Sequence, residues 1–229
     1  MNKPPLPSCH LTEDGSLTLY NATLGEHYHS THGAMQESMH IFIHAGLLFR
    51  ASLDDKKPLR VLEIGFGTGL NALLSLEQAQ LIERPLHYTS LELYPVPKEI
   101  YHQLSYQTPH DTPRATLIAL HEATWGENYK LNEYFTLRKE AVDLLAYTPQ
   151  GEVDLIYFDA FSPETQAELW SEEIFRRLYE HTAAGAVLVT YCAKGEVRRR
   201  LQRAGFVVSR LPGPPDKREI LRAAAPLLL

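Results

Sequence analysis

The stretch Arg60 to Leu74, RVLEIGFGTGLNALL, constrains the fold more than any other part of the chain. Val61, Leu62 and Ile64 form an apolar run broken only by Glu63. Glycine then recurs at every second position, Gly65, Gly67 and Gly69, before Leu70, Leu73 and Leu74 resume at helical spacing. This pattern predicts a strand, a glycine-rich turn and a helix. So tight a turn needs residues without a Cβ, both to reach positive φ and to let a ligand lie against bare backbone. The amides at the helix start then face whatever occupies the turn.

The turn reads E-x-G-x-G-x-G, which differs from the dinucleotide fingerprint G-x-G-x-x-G because Leu70 stands where the last glycine would fall. An acid two positions before the first glycine repels a pyrophosphate and suits a ligand with an ammonium group. S-adenosylmethionine (SAM) carries an α-amino group and a sulfonium charge, and no phosphate. The turn resembles the first motif of class I SAM-dependent methyltransferases, which implies that Glu63 lies near the methionine moiety. A turn that only packs a helix on a sheet is the plainer alternative.

At 229 residues the chain suits one large domain or one domain with an appendage, and 44% hydrophobic with 22% charged residues is ordinary globular composition. No apolar run approaches the roughly 20 residues of a membrane span, and the proline-rich start MNKPPLPSCH lacks a signal-peptide core. A soluble cytoplasmic protein is expected. Cys9 and Cys192 are too few for a disulfide framework. The net charge of −6 argues against generic nucleic-acid binding, but residues 194 to 222 hold nine basic against three acidic residues, a local +6. That segment is the one place where phosphates meet a favourable field; a solvated helix face is the alternative.

Residues 1 to 15 read as a tail, and Ser16 to Leu24 as a strand, with Leu11 placed to join it in a hairpin. GEHYHSTHGAMQESMHIFIHAGL holds five of the eleven histidines. His40 and His44 share a helical face, but no cysteine or carboxylate joins them at zinc spacing, so no metal is expected. Met35, Met39, Ile41, Phe42, Leu47 and Leu48 make 34 to 50 a helix packed on the core. Residues 1–50 are thus an N-terminal extension, and 51–229 the main domain. HYTSLEL (87–93) is a second strand. Glu92 at its tip lies 23 positions after Gly69, where an acid can accept hydrogen bonds from ribose hydroxyls. Pro97 suits the first turn of the next helix. LIALHEATW reads as a helix and Tyr129 to Glu140 as two short strands. Glu140 and Asp143 both remain candidates for the adenine contact after the third strand.

VDLIYFDAFSPE (153–164) gives a buried central strand with Asp159 at its end. Carboxyl ends of strands line the crevice of a doubly wound sheet, so Asp159 is expected beside the transferring methyl. There it could take a proton from an amine and orient the lone pair. Phe161 could stack on a flipped base. The structural alternative has Asp159 capping a helix and Phe161 in the core. An amphipathic helix over 168 to 182, a strand from Gly185, an arginine-rich helix ended by Gly205 and a terminal hairpin complete the order. The result is an α/β fold of the Rossmann-like class I SAM-dependent methyltransferase type: a mostly parallel sheet with helices on both faces plus the small extension.

GAMQES, EIGFGTGLN, LHYTSLELYP, DLIYFDAFSPETQAELW, VRRRLQRAGF and DKREIL together resemble the methyltransferase domain of the MnmC family of tRNA wobble-uridine modification enzymes. The resemblance spans nearly the whole chain. It implies methyl transfer from SAM to the exocyclic amine of 5-aminomethyl-2-thiouridine in tRNA, giving the 5-methylaminomethyl form. Carried over by position, Glu63, Gly65, Gly67, Gly69, Asn71 and Glu92 fall on the SAM pocket, with Phe66, Asp143 and Asp159 as further candidates for it. Asp159 is also the candidate catalytic residue; Lys217 and Arg218 fall on the family's C-terminal basic segment, and they join Phe161 and Arg199 as candidates for the tRNA side. The family's fused flavin oxidase has no room in this chain, which implies action on the aminomethyl substrate alone or work beside a separate pathway. Where the family has an aspartate after the third strand this chain has Ala141, hence the choice between Glu140 and Asp143. The competing reading is a SAM-fold methyl- or aminopropyltransferase acting on a small amine, for which the basic 194–222 segment is unfavourable. No oligomeric state follows from the pattern.

Overall fold

The computed structural model describes residues 5–53, 58–215 and 217–226. At the start of the chain β1 (Ser8–Leu11) and β2 (Leu17–Asn21) pair antiparallel with Leu11 opposite Leu17, and β3 (Glu26–His27) adds a third strand. The expected hairpin is present, and the tail expected over 1 to 15 is corrected from Ser8 onward. Asp14 closes the turn by accepting from the Thr12 hydroxyl at 2.7 Å and the Ser16 amide at 3.0 Å, with Gly15 at φ 80° behind it.

α1 (Ala34–Ser38) runs without a break into a π-helical stretch, Met39–Leu48, and ends as α2 (Phe49–Ala51). The single helix expected over 34 to 50 is therefore continuous but wider in its middle. The wider turn lets three successive residues, Ile41, Phe42 and Ile43, be buried together. Gly46 lies hard against the sheet, where a Cβ would come within 2.9 Å of Val189.

The main sheet then alternates with helices: β4 (Leu59–Ile64), α3 (Leu70–Leu81), β5 (Leu86–Leu91), α4 (Lys98–Tyr101), α5 (Arg114–Glu122), β6 (Asn128–Asn132), β7 (Phe135–Glu140), β8 (Val153–Phe158), α6 (Glu172–Glu180), β9 (Thr182–Thr190), α7 (Gly195–Ala204), β10 (Val207–Pro212) and β11 (Glu219–Ala224). Pro97 precedes α4 as its cap rather than sitting in its first turn. The helix expected over 168 to 182 is two pieces, a 3₁₀ turn at Ala167–Trp170 and then α6. Ser171 divides them: its backbone is extended and its hydroxyl accepts from the Ile174 amide at 3.4 Å.

Strand order is β10-β11-β9-β8-β4-β5-β7-β6. The five central strands are parallel, while β6 at one edge and the β10–β11 hairpin at the other run antiparallel. β8 is buried at all six positions, as a parallel strand covered on both faces must be. From β4 the chain passes to β5 on one side and later to β8 on the other, so the sheet reverses direction between β4 and β8, the place where such sheets hold ligands.

Two apolar clusters flank the sheet. One joins α3 and the inward faces of β4, β5 and β8 to Leu19, Ile41, Phe42 and Leu47 from the first 50 residues. The other holds Phe158, Trp170, Phe175 and Leu201 under α6 and α7. Each fully buried Phe or Leu contributes about 1.5–3 kcal/mol, so packing holds the N-terminal segment on the sheet, alongside the buried Arg50–Asp154 ion pair at 3.3 Å. Among the described residues no helix is long and apolar enough to cross a membrane.

Candidate active site

The glycines of the β4–α3 turn differ in what demands them. Gly65 has φ 93°, and a Cβ there would stand 2.8 Å from the Asp159 carbonyl oxygen. Gly67 has φ 50°, and a Cβ there would stand 3.0 Å from the Tyr28 ring. Gly69, at φ 75°, faces His121, Phe66 and Leu117 instead. Gly65, Phe66, Gly67 and Asn71 line a cleft of roughly 580 Å³, whereas Gly69 lies behind it, so its expected place in the pocket wall is corrected to a packing contact. The turn is pinned by Glu92, whose Oε2 accepts from the Gly67 amide at 3.0 Å, and by His121, whose Nε2 lies 2.9 Å from the Thr68 carbonyl. His29 Nε2 lies 2.7 Å from the Thr68 hydroxyl, and burial pushes this imidazole down to about 4, leaving it neutral. Lys139, almost fully buried, donates to the His121 carbonyl at 2.5 Å and lies over the Trp125 ring at 4.5 Å, supporting the same turn from below.

Glu63 does not reach the cleft. It is fully buried under the turn, where Oε2 accepts from the Ser90 hydroxyl at 2.5 Å and Oε1 has no hydrogen-bond partner among the described residues. Burial pushes its carboxyl up to about 8, so it holds its proton at neutral pH. The direct ammonium contact expected of Glu63 is thus corrected: a strand residue facing inward cannot present a charge to the crevice.

Glu92 does reach it. It is half-buried just past β5, and Oε1 accepts from the Tyr94 amide at 2.8 Å. Burial raises its proton affinity, its backbone hydrogen bonds opposing. Each oxygen keeps a further lone pair for a ligand hydroxyl. Glu92→Ala is expected to weaken SAM binding by about 1–3 kcal/mol in calorimetry; unchanged affinity would remove Glu92 from the pocket. Of the two adenine candidates, Asp143 lines the cleft, while Glu140 is turned to Arg138 at 2.6 Å and does not.

Asp159 follows the last residue of β8 and faces the cleft, with Oδ2 accepting from the Asn71 side-chain amide at 2.9 Å. Burial, then the nearby Glu37, hold its carboxyl well above the usual range, with Asn71 and Lys217 opposing. Phe161 also lines the cleft, edge-on to Tyr28 with ring centroids 5.0 Å apart. Trp170 supports this corner by donating to the Phe161 carbonyl at 2.8 Å.

The N-terminal segment supplies a whole wall that motif reading did not assign: Glu26, Tyr28, His29 and Glu37 all face the cleft. Glu26 accepts from the hydroxyls of Ser162 and Thr165, tying β3 to the Asp159 corner. The available signal was the polar and histidine density of GEHYHSTHGAMQES. Among the described residues no three His, Cys, Asp or Glu side chains gather as a metal site. His40 instead contacts the Pro212 carbonyl oxygen at 2.8 Å.

The basic segment is less free than its sequence suggests. Lys194, Arg200, Arg203, Arg210 and Lys217 are paired with Glu164, Glu196, Glu172, Glu219 and Glu37. Arg222 lies over the Phe49 ring at 3.4 Å. Lys217 lines the cleft; Arg199 and Arg218 are exposed and do not. A cradle that excludes Cβ atoms, an acid placed for ribose and sufficient volume fit the residues to SAM.

The family model described as S-adenosyl-L-methionine-dependent methyltransferase matches residues 99–226. The tRNA 5-methylaminomethyl-2-thiouridine biosynthesis bifunctional protein MnmC of Azoarcus sp. (strain BH72) is 34% identical over 232 residues, covering 94% of this chain and 35% of that protein. The MnmC protein of Delftia acidovorans is 31% identical, with coverage of 90% and 33%. The chain therefore spans about a third of the length of these curated relatives. The crystal structure of MNMC2 from Aquifex aeolicus superposes with a TM-score of 0.82 at 25% identity, over 100% of this chain and 74% of that one. Spermidine synthase from Thermotoga maritima, at 12% identity and TM-score 0.56 over 96% of this chain and 72% of its own, shares the fold.

Proposed function

From the premise that this chain belongs to the S-adenosyl-L-methionine-dependent methyltransferases, we propose that it methylates the exocyclic amine of 5-aminomethyl-2-thiouridine at the tRNA wobble position, a reaction of the cytoplasm. The observation that carries the reading is Asp159, an acid at the end of the central strand, beside the glycine turn and open to the cleft. The kinship with proteins named for 5-methylaminomethyl-2-thiouridine biosynthesis supports the substrate.

SAM supplies an electrophilic methyl group on a positively charged sulfur. The chain's residues prepare the acceptor. An alkylamine is mostly protonated near neutrality and has no lone pair to offer, so Asp159 must take one proton from nitrogen. Its raised proton affinity suits that task, and Asn71 fixes the carboxylate through Oδ2. Methylation restores the positive charge on nitrogen, and Asp159 returns its proton to water. Phe161 and Tyr28, edge to face at the mouth, provide aromatic surface for a base turned out of its stack. Lys217, Arg218 and Arg199 are the proposed contacts to RNA.

A small-amine acceptor is favoured by one observation: six carboxylates line the cleft, Glu26, Glu37, Glu92, Asp143, Asp159 and Glu168. The deciding experiment incubates the protein with labelled SAM and bulk tRNA lacking the wobble methyl, followed by mass spectrometry of nucleosides. Labelled 5-methylaminomethyl-2-thiouridine is expected. Label found only on an added diamine, with tRNA unmodified, would replace this reading with the small-amine one. RNA binding should also fall steeply with salt.

A further inference from the structure

The motif GAMQES contributes an acid, Glu37, to which neither the fold nor the methyl transfer has yet given a task. Glu37 is nearly buried on α1, and both its oxygens are engaged: Oε1 accepts from Lys217 Nζ at 2.7 Å and Oε2 from the Ser30 amide at 2.8 Å. Lys217 arrives from the opposite end of the sequence, on the loop between β10 and β11. That loop is tight. Gly213 has no room for a Cβ against the Lys217 carbonyl, and the Lys217 amide donates back to the Pro214 carbonyl at 3.0 Å. His40, one helical turn beyond Glu37, holds the Pro212 carbonyl, so the same helix anchors the loop twice.

The outcome is an ammonium held at 4.6 Å from the centroid of the Tyr191 ring, on the wall that also carries Asp159. Among the described lining residues Lys217 is the one Lys or Arg, facing six carboxylates. A lysine has three N–H donors and Glu37 takes one. It therefore retains donors for a ligand while remaining fixed, because the carboxylate and the ring limit its rotamers.

Resting on the proposed methylation of a nucleobase-borne amine, we propose that Glu37 is a positioning residue that fixes Lys217 as the specificity-determining group of the acceptor site. An aminomethyl group on a uracil ring has a carbonyl oxygen on the adjoining carbon. Asp159 receives the amine and Lys217 donates to that oxygen, so the pair recognises an amine with an acceptor beside it. A free diamine offers no acceptor and brings a second positive charge against Lys217. An acid-lined cleft thereby excludes the polyamines it would otherwise attract.

The test uses the full chain with Lys217→Met, Glu37→Gln and Glu37→Asp, assayed on tRNA bearing the aminomethyl nucleoside and on 1,3-diaminopropane, with SAM affinity measured by calorimetry. Lys217→Met is expected to keep SAM affinity, to lose about ten- to a hundredfold in kcat/KM on tRNA, mainly through KM, and to gain activity on the diamine. Glu37→Gln should shift both substrates in the same directions, and Glu37→Asp should restore most of the tRNA activity. Lys217→Met with wild-type kcat/KM on tRNA, or a Glu37→Gln loss equal on both substrates, would overturn the assignment. A wild-type protein that binds SAM but leaves tRNA unmodified would instead sink the underlying function, so the two failures are distinct.

Discussion

Asp159→Asn is expected to lower kcat for methyl transfer by about 10²–10⁴-fold at neutral pH, the range lost with a positioned proton acceptor. The substitution preserves shape, and the new amide oxygen can still accept from Asn71, which now donates to Asp159 at 2.9 Å. What disappears is the ability to take a proton from the substrate. The amine then stays charged and unreactive. The defect should shrink as pH rises toward the amine's own pKa, because solvent then deprotonates it. SAM titration of the same variant separates lost chemistry from lost binding. A variant with near-normal turnover at neutral pH would show that Asp159 is not the acceptor.

The second large effect is expected at Gly65. Its φ of 93° is unfavourable for any residue with a Cβ, and that atom would meet the Asp159 carbonyl oxygen at 2.8 Å. Holding an alanine in such a conformation costs about 1–2 kcal/mol, and relieving the contact must move either the turn or the end of β8. Both carry the pocket. Gly65→Ala should weaken SAM binding at least tenfold, about 1.4 kcal/mol, and lower Tm by roughly 2–4 °C per kcal/mol lost. Gly67→Ala should be milder, since its obstacle at 3.0 Å is the edge of the Tyr28 side chain rather than backbone. Equal losses at the two positions, or normal affinity for Gly65→Ala, would show that backbone approach does not shape the site.

Legibility in the sequence followed the range of the interaction. The β4–α3 turn, the buried β8 with Asp159 at its end, and the αL glycine that stops α7 are local patterns, each set by residues within a few positions. The mostly parallel sheet follows from the alternation of strands and helices. Features absent from local patterns depend on contacts between distant segments. The pattern puts Glu63 near the methionine moiety because strand alternation alone does not say which side of the turn is covered, and the residue is fully buried. The arginine-rich helix reads as a positive surface, but Glu172, on α6, pairs with Arg203 at 2.6 Å. Glu26 and Glu37 were invisible as site residues because β3 and α1 reach the cleft only through tertiary packing. The break at Ser171 was a local signal: a serine followed by two glutamates is a good helix start.

Glu37 and Lys217 stand 180 positions apart in the chain, yet together they finish one wall. On a ribosome adding about 5–20 residues per second, roughly ten to forty seconds separate the birth of one partner from that of the other. During that interval the chain makes the glycine turn and β8, while the wall that Glu37 and Lys217 share still lacks its lysine. Until Lys217 is made Glu37 has no lysine to pair with, so this wall of the cleft is completed only as the final hairpin of the sheet is laid down.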